Sequence, residues 1–487
     1  MNYGSSMSVL IIILLTMYFL VPVTGQPPIN HWFSTSYFGD ETYYYDVIAD
    51  SNTSLGGTGL IYAVGASDGS PIISAFNPDG SLNWTKKYNV MGKANTVTKR
   101  IGVYASPDNL LFIGGEIYAP NPMSLFLVVD ALSGNYIDGW TLSTPGFEGD
   151  KVNDLVIGPD GAVYGVGTLF TNIDPIAPYN TLLFRYDPSN LNVTYSQVFL
   201  STEEGHALDV YNGSLYIAES KGIDMYLREV DYSTGLDTKA YRIYHNQVFQ
   251  LTPRDIEVID GKAFIVGSII TSSLFVSMDL NGTLLTLYSH TQTTWRNIEV
   301  GNNNRLFIFG DSKNFPINQN DTSYNLIFLS FYSNVTGYQS TDVYSFGGIE
   351  DDISGGFHIN EYGYISGYTD SFPYLGLNRS GIASLISPNM SDFVWSLGCV
   401  GQSNVTISKY SLSYGNLVQY LNITDAPLGS QRVDSSRINV EPLDIVPESC
   451  IAYDINNPVV INEFQVTMVI MISVAIVIAI RKYLRRR

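Results

Sequence analysis

Tyr62-Ala-Val-Gly65, Phe112-Ile-Gly-Gly115, Tyr164-Gly-Val-Gly167, Phe264-Ile-Val-Gly267, Phe307-Ile-Phe-Gly310 and Tyr364-Ile-Ser-Gly367 are copies of one pattern, aromatic-x-x-Gly. A seventh copy, Tyr216-Ile-Ala-Glu219, keeps the aromatic residue and loses the glycine. The aromatic positions are 50, 52, 52, 48, 43 and 57 residues apart. A repeat of this length, built on an apolar strand, is one four-stranded blade, and seven units predict an all-β, seven-bladed β-propeller.

The residues around the motif repeat with it. Upstream lies a strand that begins with Asp or Asn: Asp46-Val47, Asp154-Leu155, Asp209-Val210, Asp255-Ile256, Asn297-Ile298 and Asp352-Ile353. Between the two strands stand Asn212-Gly213, Asp260-Gly261 and Pro159-Asp160-Gly161, which is hairpin chemistry. A third strand ends in a turn such as Asp130-Ala-Leu-Ser-Gly134 or Asp231-Tyr-Ser-Thr-Gly235, and Trp84, Trp140 and Trp395 mark a fourth. A ring of blades must be closed, and two strands compete for that place. The stretch 31–39 (HWFSTSYFG) resembles 394–398 (VWSLG) and serves as a clasp, unless the local strand 393–397 fills the position.

Composition agrees with an exported β-protein. Of 487 residues 45% are hydrophobic and only 14% charged, with 35 Tyr, 23 Phe and 43 Gly, which favours pleated strands and tight turns over helices. The net charge of -20 excludes nucleic acid as a partner.

The two ends set an expected topology. Val9 to Val21 is an apolar run of signal-peptide length, followed by Pro22, Thr24 and Gly25; residues 1–25 read as a cleaved signal peptide, with an uncleaved anchor as the alternative because the run has no basic flank. Residues 464–480 read as a transmembrane helix and 481–487 as a basic cytoplasmic tail, in which Arg481, Lys482, Arg485, Arg486 and Arg487 fit the positive-inside rule. Membrane lipid is thus an expected partner, and the localisation is single-pass type I with the propeller outside. N-x-[ST] acceptors at Asn52, Asn83, Asn192, Asn212, Asn281, Asn320, Asn334, Asn378, Asn389, Asn404 and Asn422 all fall between the hydrophobic ends, as in a glycosylated ectodomain. Cys399 and Cys450, the only cysteines, read as a disulfide in an oxidising space, or else as two buried thiols. The expected domains are the propeller at 27–398 and a disulfide-closed juxtamembrane stem at 399–458.

Two segments sharpen the family reading. Phe346-Gly-Gly-Ile-Glu-Asp-Asp352, followed by Tyr364-Ile-Ser-Gly-Tyr-Thr-Asp-Ser-Phe-Pro373, resembles the β-propeller repeat called SBBP, and Phe307-Ile-Phe-Gly-Asp-Ser-Lys-Asn-Phe-Pro316 repeats its end. The stretches 77–84 (NPDGSLNW) and 130–140 (DALSGNYIDGW) lean instead toward the quinoprotein-type repeat. The SBBP resemblance implies a seven- or eight-bladed propeller at the cell surface and carries over no catalytic residue. The low charge and the abundance of Tyr, Ile, Asn and Thr also resemble surface proteins of thermophilic archaea or their viruses.

Catalytic signatures are lacking. His31, His206, His245, His290 and His358 show no paired metal spacing, and no nucleophile elbow, P-loop or dinucleotide fingerprint occurs. No cofactor is expected; a quinone would need stacking Trp and Cys features that this chain lacks. The Asp and Asn residues that open the inner strands have two readings. They bind Ca2+ at a channel mouth, with Asp351 and Asp352 the foremost candidates, or they cap backbone amides of the adjacent blade, the preferred reading. The expected function is recognition or adhesion toward an extracellular protein or glycan, through loops such as 168–179 and 311–325, where Phe170 and Tyr179 serve as anchors. The alternatives are a structural component of a cell or virion envelope, and a hydrolase or lyase at the propeller mouth.

Overall fold

The inner strands of the protein, Thr42–Ala49, Gly92–Lys99, Gly149–Ile157, Glu204–Tyr211, Leu251–Ile259 and Thr293–Gly301, each open a four-stranded antiparallel meander. In this computed structural model the six meanders are propeller blades, at 42–88, 92–143, 149–199, 204–244, 251–291 and 293–346. The structure describes residues within 32–450. It leaves out 37–40, 51–56, 79–81, 89, 100–108, 119–121, 144–148, 171–178, 200–203, 245–249, 270–271, 283, 302–304, 314–322, 333–342, 347–350, 360–362, 371–379, 387–399 and the linkers between the short strands after 400. No helix long and apolar enough to cross a membrane occurs among the described residues. The expected signal peptide, transmembrane helix and basic tail all lie outside them.

A further sheet contains Asp352–Ile359, Gly363–Thr369 and Ser380–Ile386, and its fourth strand is Trp32–Ser36, paired Trp32 to Leu385 through Ser36 to Gly381. The N-terminal clasp therefore takes the place for which two strands competed; the rival 393–397 lies outside the described residues.

The motif aromatics Tyr62, Phe112, Tyr164, Tyr216, Phe264, Phe307 and Tyr364 are all buried, packed between neighbouring blades. Burial of such a side chain stabilises by about 2–3 kcal/mol. Tyrosines of the outer strands also join blades by hydrogen bonds: the hydroxyls of Tyr88, Tyr195 and Tyr241 donate to the carbonyls of Gly134, Tyr232 and Leu280 in the next blade's turn. The hairpins Asn212-Gly213 and Asp260-Gly261 have positive φ at both residues, as a two-residue loop of right-twisted strands requires.

The motif glycine has a steric cause. A Cβ on Gly65 would stand 1.8 Å from the carbonyl oxygen of Tyr43, and equivalent backbone carbonyls crowd Gly115, Gly167, Gly267, Gly310 and Gly367. The fourth blade solves the same problem differently. Glycine has moved to the inner strand as Gly205, opposite Glu219. The freed position buries the Glu219 carboxylate against Arg228 at 3.0 Å, and Arg228 also holds Asp237 at 3.1 Å and lies over the Phe199 ring at 4.2 Å.

The stretch read from the sequence as a stem contributes seven short strands. Val400–Ser403, Ser408–Lys409, Ser413–Asn416, Ile423–Thr424, Gly429–Arg432 and Val440–Pro442 pair antiparallel with the outer strands of the sixth, fifth, fourth, third, second and first blades, in that order. Glu448–Cys450 then pairs with Trp32–Ser36. The chain thus returns around the blades in reverse, satisfying edge N–H and C=O groups that would otherwise be open to other chains. Strands of two to four residues have no periodicity, so the pattern gave no sign of them. Cys450 ends the last of these strands, and Cys399 lies outside the described residues.

Removing Glu219 leaves a fully buried guanidinium with one ionic partner fewer. Glu219→Ala is expected to destabilise by roughly 3–5 kcal/mol, read as a lowered urea midpoint, whereas Glu229→Ala on the half-exposed Lys239 pair changes it by about 1 kcal/mol or less.

Candidate functional site

Each inner strand carries one irregularity at the same place. Its pairing register with the second strand shifts between Tyr44 and Asp46, Ala94 and Thr96, Val152 and Asp154, Gly205 and Ala207, Pro253 and Asp255, and Trp295 and Asn297. The residue skipped is Tyr45, Asn95, Asn153, His206, Arg254 or Arg296 in turn. A bulge of this kind re-aims its side chain. All six line one cavity of about 550 Å³ where the inner strands converge, and Lys93, Glu116, Lys151, Phe170 and Glu204 share its wall.

Beside four of the six bulges stands a residue that the sequence pattern marks, Asp46, Asp154, Asp255 or Asn297, and Thr96 and Ala207 take that place in the other two; the marked residues lie in the middle of their strands and not at the start, where the sequence reading put them. Asp46 accepts the amides of Val47 and, in the next blade, Val97, both at 2.8 Å. Asp154 accepts those of Leu155 and Leu208, and Asp255 those of Ile256 and Ile298. The capping reading of these carboxylates is therefore the one the geometry shows. Asp209 does the same toward Val258, but from a position two residues further along its strand, facing Tyr216 across the pair. Its tier also holds Glu257, opposite Phe264, and Glu299, opposite Phe307. Among the described residues no group of three or more His, Cys, Asp or Glu is placed to hold a metal ion. Asp351 accepts the Tyr324 amide at 2.8 Å, and Asp352 opens its inner strand, paired with Thr369.

Burial, reinforced by neighbouring carboxylates, pushes Asp46 and Asp154 up to about 7, and moves Asp209, Asp255 and Glu257 the same way. His206 moves down, to about 3, through burial and the charges of Lys151 and Arg254; its Nε2 lies 2.8 Å from the Ser220 hydroxyl. The imidazole is thus neutral at ordinary pH.

The cations around the cavity are mostly matched. Lys93 pairs with Glu116 at 2.9 Å, Lys151 with Glu204 at 3.5 Å, and Arg296 with Asp311 at 3.4 Å. Arg254 differs: it is exposed to solvent and has no hydrogen-bond or ion-pair partner among the described residues; desolvation by the cavity wall and the Arg296 charge work against its own charge, and the more distant Glu204 and Asp311 favour it. Charge is consequently uneven around the ring, with Tyr45, Asn95 and Asn153 on three consecutive blades and His206, Arg254 and Arg296 on the next three.

The other expected site residues are scattered. Phe170 and Tyr179 pack edge to face at 4.7 Å, with Phe170 on the cavity wall, and the loop between them lies outside the described residues. Asn83, Asn192, Asn212 and Asn281 are exposed; Asn52, Asn320, Asn334, Asn378, Asn389, Asn404 and Asn422 lie outside the described residues. His358 approaches Glu299 at 3.5 Å, far from a metal arrangement. Sequence reasoning missed Arg254, Arg296 and the rest of the ring, although a partial signal existed: Tyr45, Asn153, Arg254 and Arg296 each stand one residue before a marked Asp or Asn, whereas Asn95 and His206 precede the unmarked Thr96 and Ala207.

Among solved structures the chain is similar to a luciferin-regenerating enzyme, at 14% identity over 64% of this chain and 96% of that one, with a TM-score of 0.39. It is also similar to the propeller of Dos1, at 11% identity over 70% and 77%, TM-score 0.40. A protein of unknown function from Dyadobacter fermentans matches at 10% identity over 73% and 97%, TM-score 0.40. No protein-family model matches the chain, and no curated protein does.

The raised carboxyls have a consequence for stability. A carboxyl with a folded-state pKa above its unfolded value binds more protons folded than unfolded between the two, so stability falls as pH rises from about 4 through 7. His206, depressed when folded, acts oppositely between about 3 and 6.5, but it is one group against Asp46, Asp154, Asp209, Asp255 and Glu257. The melting temperature is expected to be lower at about pH 8 than at about pH 5, and Asp46→Asn with Asp154→Asn should flatten that slope while lowering the whole curve.

Proposed function

We propose that this chain is a membrane-anchored surface propeller that recognises an extracellular partner through the ring of bulge residues at its axis. The observation that carries this reading is the convergence of Tyr45, Asn95, Asn153, His206, Arg254 and Arg296 in one cavity. Side chains supplied one per blade form a recognition surface on a rigid frame, and the hydroxyl that pairs with the ring's imidazole, Ser220 on His206, is buried and stands outside the cavity lining. In this proposal the sheet closed by Trp32–Ser36 is the seventh blade, and the repeat is of SBBP type. The signal peptide, the helix at 464–480 in membrane lipid, the Cys399 and Cys450 disulfide, and glycosylation at the sequons belong to the same reading, as does an origin in an archaeal or viral surface. The partner is an extracellular protein or glycan.

A hydrolase or lyase is the second reading, because Asp46 and Asp154 are poised near neutrality on the cavity wall. Each already accepts two amides, which commits it to holding blades together.

Two measurements test the proposal. Protease treatment of intact cells should digest the propeller and spare the basic tail; a protected propeller would remove the surface assignment. The full chain in detergent, applied to a glycan and protein array, should give signals that Tyr45→Ala combined with Arg254→Ala abolishes with little change in melting temperature. Equal signals from parent and variant, or substrate turnover lost in Asp154→Asn, would replace recognition by another mode.

A further inference from the structure

Arg254 is an unmatched guanidinium in a cavity where every other full cation has a carboxylate within 3.5 Å. Arginine presents a planar fork of donors that fits a carboxylate in two parallel hydrogen bonds, and this solvent-facing fork, which Glu204 and Asp311 influence without pairing, is open to a carboxylate from outside the chain. Across the ring the chemistry is different. The Nδ2 of Asn153 donates to the carbonyl of Gly205 and the hydroxyl oxygen of Thr168, which leaves its amide oxygen as an acceptor, and that of Asn95 donates to the carbonyl of Val152, which leaves its amide oxygen and a second N–H. The Tyr45 hydroxyl, held protonated by burial, adds a donor, and its ring lies parallel to that of Tyr43. One side of the cavity thus suits a carboxylate, and the other suits hydroxyls.

We propose that the cavity takes a hexuronate unit, an acidic monosaccharide, with its carboxylate on Arg254 and its hydroxyls toward Asn95, Asn153 and Tyr45. This rests on the recognition reading above and adds the class of ligand. A cavity of about 550 Å³ holds a sugar of this size with room for its glycosidic neighbours. His206, beside Arg254 in the ring and neutral, adds no net charge and leaves the anion to the guanidinium. Lys93, Lys151 and Arg296 are offset by Glu116, Glu204 and Asp311. Asp46, Asp154 and Asp255 also line the cavity, and their charge opposes a bound anion once they ionise. Binding therefore weakens as pH rises through 7, the region to which Asp46 and Asp154 are raised.

The test is calorimetric titration of the full chain, solubilised in a detergent without sugar, with glucuronate, galacturonate, methyl glucoside and inorganic phosphate as separate probes. At least one uronate should bind; methyl glucoside and phosphate should bind at least about tenfold more weakly, because each satisfies one side only. Arg254→Gln should weaken uronate binding about tenfold or more, and Tyr45→Phe, which removes one hydroxyl and little volume, about three- to tenfold. Phosphate equal to uronate, or an unchanged affinity in Tyr45→Phe, overturns the sugar in favour of a bare anion site. Methyl glucoside equal to uronate, or an unchanged affinity in Arg254→Gln, overturns the carboxylate anchor. No binding of either uronate overturns this inference and leaves recognition standing if the array signals still depend on Tyr45 and Arg254. Uronate binding without such array signals has the reverse meaning.

Discussion

The close approach of the inner strand's backbone to the motif glycine is the constraint on which the rest of this molecule depends. A carbonyl oxygen such as that of Tyr43 occupies the space where a side chain at Gly65 would begin, and this recurs at five further glycines. The approach goes with a bulge: the strand gains a residue, turns it inward, and places the next one against the neighbouring blade. One backbone irregularity thereby does two things. It directs Tyr45 and its equivalents to the axis, and it sets Asp46, Asp154 and Asp255 where each joins two blades by a pair of amides. Architecture and binding surface come from the same local geometry.

Because the carboxylates are tied to the frame, the chemistry of the cavity belongs to the residues that precede them. These vary from blade to blade while the frame stays constant. Asparagine and tyrosine on one side and histidine and arginine on the other give the cavity a direction, and the ion pairs around it cancel all full cations except Arg254. A ligand is oriented by such asymmetry more than by the total charge of the protein, which is acidic.

The fourth blade shows how far the frame tolerates change. Its motif glycine is replaced by Glu219, the glycine appears across the pair as Gly205, and the buried carboxylate is answered by Arg228, which also holds Asp237. Such an ionic cluster adds little net stability over an apolar substitute, yet breaking it is costly, so the three residues are bound to persist together. At the periphery the returning strands of 400–450 follow the blade edges in reverse order, each pairing with two to four residues, so every outer strand has part of its open edge covered.

The sequence by itself determined the blade. Aromatic-x-x-Gly, the Asp or Asn upstream and the Asn-Gly and Asp-Gly turns are local signals, since each is dictated by steric limits or hydrogen bonds within a few residues or across one strand pair. They were enough to place the hairpins, the buried aromatics and the capping role of Asp46, Asp154 and Asp255, and to locate the inner strands, although five of these begin four or five residues ahead of the Asp or Asn that was read as their start. The site was legible only as a row of positions before those residues: nothing local tells that Tyr45 and Arg254, more than two hundred residues apart, meet in one cavity. That meeting is made by the closure of the ring, as are the pairing of Trp32–Ser36 with Ser380–Ile386 and the course of 400–450 around the rim. Such contacts join segments far apart in the chain, and their partners are chosen by which edges and which space the packed blades leave open, a property of the assembled structure alone.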